Sequence, residues 1–233
     1  SLNYSAKHPL LALTAEFRYN QKHSLRTKDK HLGEKQTYQR MIIGMEWLYF
    51  VIAYLLGSIP SAVLICSWLS LPDPRHKGSG NPGTTNVLRT GSRKAALLTL
   101  FADMGKGGLA VLIPIFSGVE TATCGWIAAT VIVGHTFPIL NGLKGGKGVA
   151  TTFGAFVILA PELGLAQLSI WLFVITIRRI SSLASISAAT LSPIACWLFV
   201  PAIALPVTLI SALLLIRHSD NIIKLIDGQE SRL

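Results

Sequence analysis

The chain has 233 residues, 51% of them hydrophobic and only 14% charged, with a mean hydropathy of +0.51 and a formal net charge of +10. Soluble domains carry about a quarter charged residues, so this composition excludes an ordinary soluble domain and points to an integral membrane protein. The basic balance does not mark a nucleic-acid binder: residues 1–45 hold eight Lys/Arg against three Asp/Glu, and the remainder places thirteen against eight at the ends of apolar stretches, as cytoplasmic loops do.

Residues 1–45 are polar, basic and without a sustained helical stripe or a secretory h-region. They read as a disordered arm or as non-native upstream sequence, with Met41 and Met45 as candidate starts, ahead of a transmembrane domain over 46–233. The first predicted span runs from Trp47 to Leu69, with Trp47 and Tyr49 as interfacial anchors. A polar cluster follows, Gly78-Ser79-Gly80-Asn81-Pro82-Gly83-Thr84-Thr85-Asn86-Val87-Leu88-Arg89. Its literal GxGxxG is no dinucleotide fingerprint, since a membrane span precedes it and Pro82 interrupts it. Glycines that let backbone N–H groups approach an anion, hydroxyls at Ser79, Thr84 and Thr85, amides at Asn81 and Asn86, and a bidentate Arg89 nevertheless suit a phosphate.

The second predicted span runs from Ala95 to about Phe116 and carries Asp103 and Lys106, three apart on one helical face. An internal ion pair or a ligand contact fits both. The third span, Thr121 to Leu140, holds His135 near its end, read as a helix-end residue bonded to a carbonyl. Lys144-Gly145-Gly146-Lys147-Gly148 follows: not a Walker loop, but a flexible cationic anion site entering a helix N-terminus. The stretch 149–177 is expected to break around 161–164 and the stretch 183–216 near Pro201 and Pro206, giving two short spans each. Between them lies Arg178-Arg179-Ile180-Ser181-Ser182-Leu183-Ala184-Ser185, where Ser181 or Ser182 is a candidate helix cap. Past the last span come Arg217-His218-Ser219-Asp220-Asn221 and a tail reaching Glu230, with His218 and Asn221 spaced to address one ligand.

Seven spans put all four polar clusters on one side, with Glu120 and Glu162 but no Lys or Arg in the opposite loops. The fold expected is therefore all-α and polytopic, with about seven transmembrane helices, the N-terminus outside and the C-terminus cytoplasmic. Several spans are short for a bilayer. Cys66, Cys124 and Cys196 lie inside apolar stretches and read as packing residues, and no metal site is evident.

In this order between membrane spans, GSGNPGTTNVLR, GHTFP…KGGKGVAT, the serines of SSL and RHSDNI…E resemble the bacterial acyl-phosphate-dependent glycerol-3-phosphate acyltransferases, over about residues 47–230. The resemblance implies transfer of a fatty acyl group from acyl phosphate to the 1-hydroxyl of sn-glycerol 3-phosphate at the cytoplasmic face of the bacterial inner membrane, without a cofactor. It implies that Ser79 and Arg89 are needed for activity, that Lys144 to Gly148 bind glycerol phosphate, that His218 and Asn221 serve catalysis or binding, that Ser182 lines the substrate site and that Glu230 supports structure. Thr84 and Leu143 stand where the family has Ala and Phe. Gly80, Asn81, Thr85 and Asn86 join the expected phosphate contacts, and Asp103 with Lys106 the expected structural ones.

Two phosphates must then be held, which accounts for the surplus of cations and donors. The leaving phosphate is the expected proton acceptor, with His218 as the alternative base. Two rivals fare worse. A thioester-dependent acyltransferase with an HxxxxD dyad fails because no histidine has Asp five residues later. An organic-phosphate transporter predicts inverted repeats, and no clear repeat is present.

Overall fold

The computed structural model describes residues 46–232 together with Asn20, Gln21, His23 and Gly44. The expectation of a disordered or non-native extension over 1–45 falls almost wholly outside these residues. Two units are distinguished, Ser1–Met45 and Glu46–Leu233. In the second, the described residues form helices joined by turns and 3₁₀ segments, without a strand, so the all-α expectation holds.

The helices are α1 (Glu46–Gly57), α2 (Ser61–Trp68), α3 (Thr84–Arg89), α4 (Arg93–Phe116), α5 (Thr121–Thr136), α6 (Val149–Leu159), α7 (Pro161–Arg178), α8 (Ser181–Phe199), α9 (Ala204–Arg217) and α10 (Ser219–Ile226). Their outward faces are apolar: Phe116 is 84% exposed and Leu198 74%, a surface that only lipid or another apolar partner suits. Four spans are long and apolar enough to cross a bilayer: α4, α7, α8 and Thr121–Asn141, in which α5 runs on into a 3₁₀ turn. Two bent pairs raise that number to six among the described residues: α1 with α2, and Pro201–Arg217 with α10. At 11 residues, α6 is the short leg on which a count of seven depends, rising only ~16 Å.

Proline chemistry sets the breaks. The span expected to run unbroken from Trp47 to Leu69 bends by 43° at residues 58–60, because Pro60 has no N–H to continue the ladder. The break expected at 161–164 sits one residue earlier, at Ala160. Pro161 takes the first position of α7, and the residue before a proline is pushed out of the helical region (Ala160 φ −151°, ψ 85°). Val200 repeats this before Pro201, whereas Pro206 is accommodated in the first turn of α9.

Glycine lets the legs approach closely. A Cβ on Gly107 would run into the Thr151 carbonyl, and one on Gly154 into the Met104 carbonyl, so α4 and α6 meet backbone to backbone. Each hairpin of the bundle leaves one end and returns to it. The α4–α5 pair comes back at His135, α6–α7 at Ser181, and α8–α9 at His218; these three residues line one cavity.

Candidate active site

That cavity, of about 330 Å³, gathers all four polar clusters. Ser79, Asn81, Thr85 and Arg89 come from the first, Lys147 and Gly148 from the second, Ser181, Ser182 and Ser185 from the third, and His218, Asn221 and Glu230 from the fourth. The same lining includes apolar side chains, Leu100 and Met104 of α4, Phe153 of α6, and Leu168 and Trp171 of α7. A wider vestibule of about 630 Å³ shares Ser79, Asn81, Lys147 and Asn221 with it and adds Arg75, His76, Gly80, Lys144, Gly145, Arg217 and Lys224, with Asp220 as the acidic member.

Side chains tie the clusters to one another. Thr85 Oγ1 and Ser181 Oγ stand 3.0 Å apart. Lys147 donates to Asn221 Oδ1, and Asn221 Nδ2 donates to both carboxylate oxygens of Glu230 at 3.0 Å. Glu230, whose side chain is 5% exposed, also faces Arg89 at 3.9 Å. Arg89, Glu230, Asn221 and Lys147 thus form one chain of cation, carboxylate, amide and cation along the cavity wall. Burial pulls the Lys147 ammonium below the usual lysine range, with Glu230 and Asp220 opposing that pull.

The local sequence positions these groups. Gly148 adopts a left-handed φ of +88° and starts α6 without a side-chain cap; α8 likewise starts at Ser181 uncapped. Both helix N-termini therefore turn free N–H groups and positive dipole ends toward the cavity. The Ser182 hydroxyl, buried on this rim, has no hydrogen-bond partner among the described residues. Neither serine caps α8: Ser181 and Ser182 are its first two helical residues, with Ile180 at the cap.

His218 Nδ1 lies 2.7 Å from the Leu214 carbonyl. A carbonyl only accepts, so Nδ1 carries the proton and Nε2 is left as an acceptor. Burial pushes this imidazole down to about 4, overriding the carbonyl bond that favours the charged form, so it is neutral at pH 7.

A family model described as glycerol-3-phosphate acyltransferase matches residues 47–228. The chain belongs to the glycerol-3-phosphate acyltransferase family. It is 44% identical over 190 residues to a glycerol-3-phosphate acyltransferase of Shewanella oneidensis, covering 82% of this chain and 94% of that one. It is 49% identical over 180 residues to one of Shewanella woodyi, covering 77% and 89%. Among solved structures it resembles PlsY (YgiH), an integral membrane glycerol 3-phosphate acyltransferase. The glycerol 3-phosphate form superposes with a TM-score of 0.76 at 34% identity, and the lysophosphatidic acid form with 0.75 at 32%; each covers 81% of this chain and 95% of that one.

Within this acyltransferase the expected site residues divide by position. Ser79, Asn81, Lys147 and Asn221 sit where cavity and vestibule join, whereas Gly80, Lys144 and Gly145 line the vestibule. Asn86 borders the cavity, but its side chain is spent on the loop: Oδ1 accepts from Ser79 N at 2.8 Å, and Nδ2 donates to the carbonyls of Pro74 and Lys77 at 2.8 and 2.9 Å. It braces the glycine-rich turn rather than presenting donors to a ligand. Asp103 borders the cavity and pairs with Lys106 at 2.8 Å. His135 does not cap a carbonyl; its Nδ1 lies 3.1 Å from Lys106 Nζ.

Sequence reading missed two features of the wall. Gln167, 3% exposed, lines the cavity, and Trp171 donates to Ser185 at 3.2 Å. A glutamine inside an apolar span is the signal that was available, since buried polar groups at that depth face an interior cavity. For Trp171 nothing in the sequence separated a cavity wall from a lipid-facing ring.

Proposed function

We propose that this acyltransferase moves a fatty acyl group from acyl phosphate to the 1-hydroxyl of sn-glycerol 3-phosphate, giving 1-acylglycerol 3-phosphate (lysophosphatidic acid) and inorganic phosphate. The observation that carries this reading is one cavity whose lining joins cationic, donor-rich groups to apolar side chains. It suits a substrate pair of two phosphates and one hydrocarbon chain. The active end faces the cytoplasm of a bacterial inner membrane, since the basic loops cluster there and the opposite turns carry Glu120 and Glu162.

The acyl chain lies among Leu100, Met104, Phe153 and Leu168, with its phosphate on Ser79, Thr85, Ser182 and the α8 N-terminus. Lys147, Asn221 and the α6 N-terminus take glycerol phosphate, with Arg89 between the two charges. Clamping both reactants supplies much of the acceleration, and the fixed donors stabilise the tetrahedral oxyanion. The hydroxyl oxygen attacks the acyl carbon, and the bond from that carbon to the phosphate oxygen breaks. The leaving phosphate keeps the electron pair and takes the hydroxyl proton. His218 Nε2 accepts from the attacking hydroxyl and aims it. An imidazole held at about 4 is a poor proton sink beside a phosphate whose second ionisation lies near 6 in a monoester.

Purified protein in detergent should form lysophosphatidic acid from long-chain acyl phosphate and not from the matching acyl-CoA. Efficient use of acyl-CoA would reject the donor assignment. In His218→Ala, an increase in KM for glycerol phosphate with kcat lowered no more than about tenfold supports holding and aiming without proton transfer. A collapse of kcat by ~10³ or more at unchanged KM would instead make His218 the base.

A further inference from the structure

Two histidines border the cavity, and their hydrogen bonds fix them in opposite tautomers. His218 keeps its proton on Nδ1, for the Leu214 carbonyl, and offers Nε2 as an acceptor. Lys106 stands behind His135. Its Nζ forms an ion pair with Asp103 Oδ1 at 2.8 Å and donates to the Ile59 carbonyl at 2.9 Å and the Gly57 carbonyl at 3.4 Å. The break before Pro60 leaves the Gly57 carbonyl without its helical donor, and the Ile59 carbonyl, which accepts from Ser61 N–H at 2.9 Å, has a second lone pair for the lysine. A lysine held by a carboxylate and two carbonyls is an ammonium, which has only protons to give. His135 Nδ1 lies 3.1 Å from it and 3.7 Å from Asp103 Oδ1, beyond hydrogen-bond reach of the carboxylate, so Nδ1 accepts from the ammonium and the ring proton goes to Nε2. Nε2 stands against Gly146: a Cβ there would run into it, and one on Gly145 would strike the His135 carbonyl. The glycines let the loop seat on the imidazole. Nε2 makes no hydrogen bond among the described residues, and His135 opens on the cavity.

We infer that His135 is a further substrate-contacting residue, its Nε2–H donating to a phosphate oxygen of the ligand seated on the Gly145–Lys147 loop. Lys106 and Asp103 are positioning residues that hold this tautomer. The cavity then pairs one fixed donor, for phosphate, with one fixed acceptor, for the attacking hydroxyl. This rests on the proposed acyl transfer to glycerol phosphate.

The test compares His135→Gln, whose amide nitrogen reaches the Nε2 position, with His135→Asn, whose amide reaches only Nδ1. Losing a hydrogen bond to a charged group should raise KM for glycerol 3-phosphate about tenfold or more in His135→Asn, while His135→Gln stays within about threefold of wild type. In both, kcat stays within about threefold. If the KM that rises is that of acyl phosphate, the donor serves the other phosphate and the loop assignment is overturned. Equal KM values in the two variants, or a fall in kcat at unchanged KM, overturn the inference as well.

Wild-type protein labelled with ¹⁵N-histidine covers variants that fail to fold. The expected spectrum has a histidine with bare Nδ1 and protonated Nε2 whose Nε2–H signal moves on adding glycerol 3-phosphate; the signal is missing in His135→Gln and, where that variant fails to fold, reports the other tautomer in Lys106→Met. A His135 protonated at Nδ1, or an unmoved signal, overturns the inference. Absence of turnover in wild-type protein would sink the acyl-transfer reading itself, which separates the two failures.

Discussion

At the scale of single residues the site works by assigning each polar atom one role. Asn86 is the clearest case, with three hydrogen bonds consumed inside the 74–79 loop. Asn86→Ala would take this partner from the Ser79 N–H, the Lys77 carbonyl and the buried Pro74 carbonyl and cost about 1–3 kcal/mol of stability. A thermal midpoint measured in detergent should fall, and activity with it, as the turn carrying Ser79 loosens; an unchanged midpoint would mean water replaces the brace. His218 gives a pH signature. Its folded value, about 4, lies below the ordinary histidine value of about 6.5, because burial disfavours the charged ring. The stability it contributes is therefore complete above about 6.5 and is lost as pH falls toward 4. Thermal midpoints taken across that window should decline less steeply in His218→Asn than in wild type. Lys147 behaves oppositely at alkaline pH: its lowered value means that KM for glycerol phosphate should rise before the usual lysine range is reached.

At the scale of elements, α4 and α6 hold the cavity's apolar wall in place through glycine contacts. Gly154→Ala would force a methyl into the Met104 carbonyl, an overpacking strain of about 1–3 kcal/mol. Its expected effect is a lower thermal midpoint together with poorer use of long acyl donors, checked with a series of chain lengths. The helices and their prolines were legible in the sequence because hydropathy and missing N–H groups are local properties. Ala160 and Val200 as the break points follow from the prolines after them, yet the bend before Pro60 was not read, since a long apolar run hides a broken ladder. The four polar clusters were legible as chemistry. What they do to one another was not: the Thr85–Ser181 and Lys147–Asn221–Glu230 contacts, and Lys106 against His135, join residues up to 96 positions apart. No local pattern encodes those pairings. Asn86 looked like a ligand group because an amide in a glycine-rich turn serves a backbone or a phosphate equally well.

At the scale of the molecule, every hairpin of the bundle returns to one end, which is how segments from α3 to the tail after α10 build a single site. The vestibule there is strongly cationic, with Arg75, Lys144, Lys147, Arg217 and Lys224 against Asp220. Such a funnel raises the encounter rate of a small anion and is screened by salt. The ratio kcat/KM for glycerol phosphate should thus fall with rising ionic strength, and more shallowly in Lys144→Ala and Lys224→Ala. Equal slopes in wild type and variants would remove the steering role. The joint holding of two phosphates in one cavity is tested most directly by following inorganic phosphate released from long-chain acyl phosphate by the purified protein, with and without glycerol 3-phosphate. Release should require both substrates, match lysophosphatidic acid mole for mole and vanish in Ser79→Ala. Release at the same rate without glycerol 3-phosphate, or binding of both substrates by monodisperse protein without any release, would contradict it.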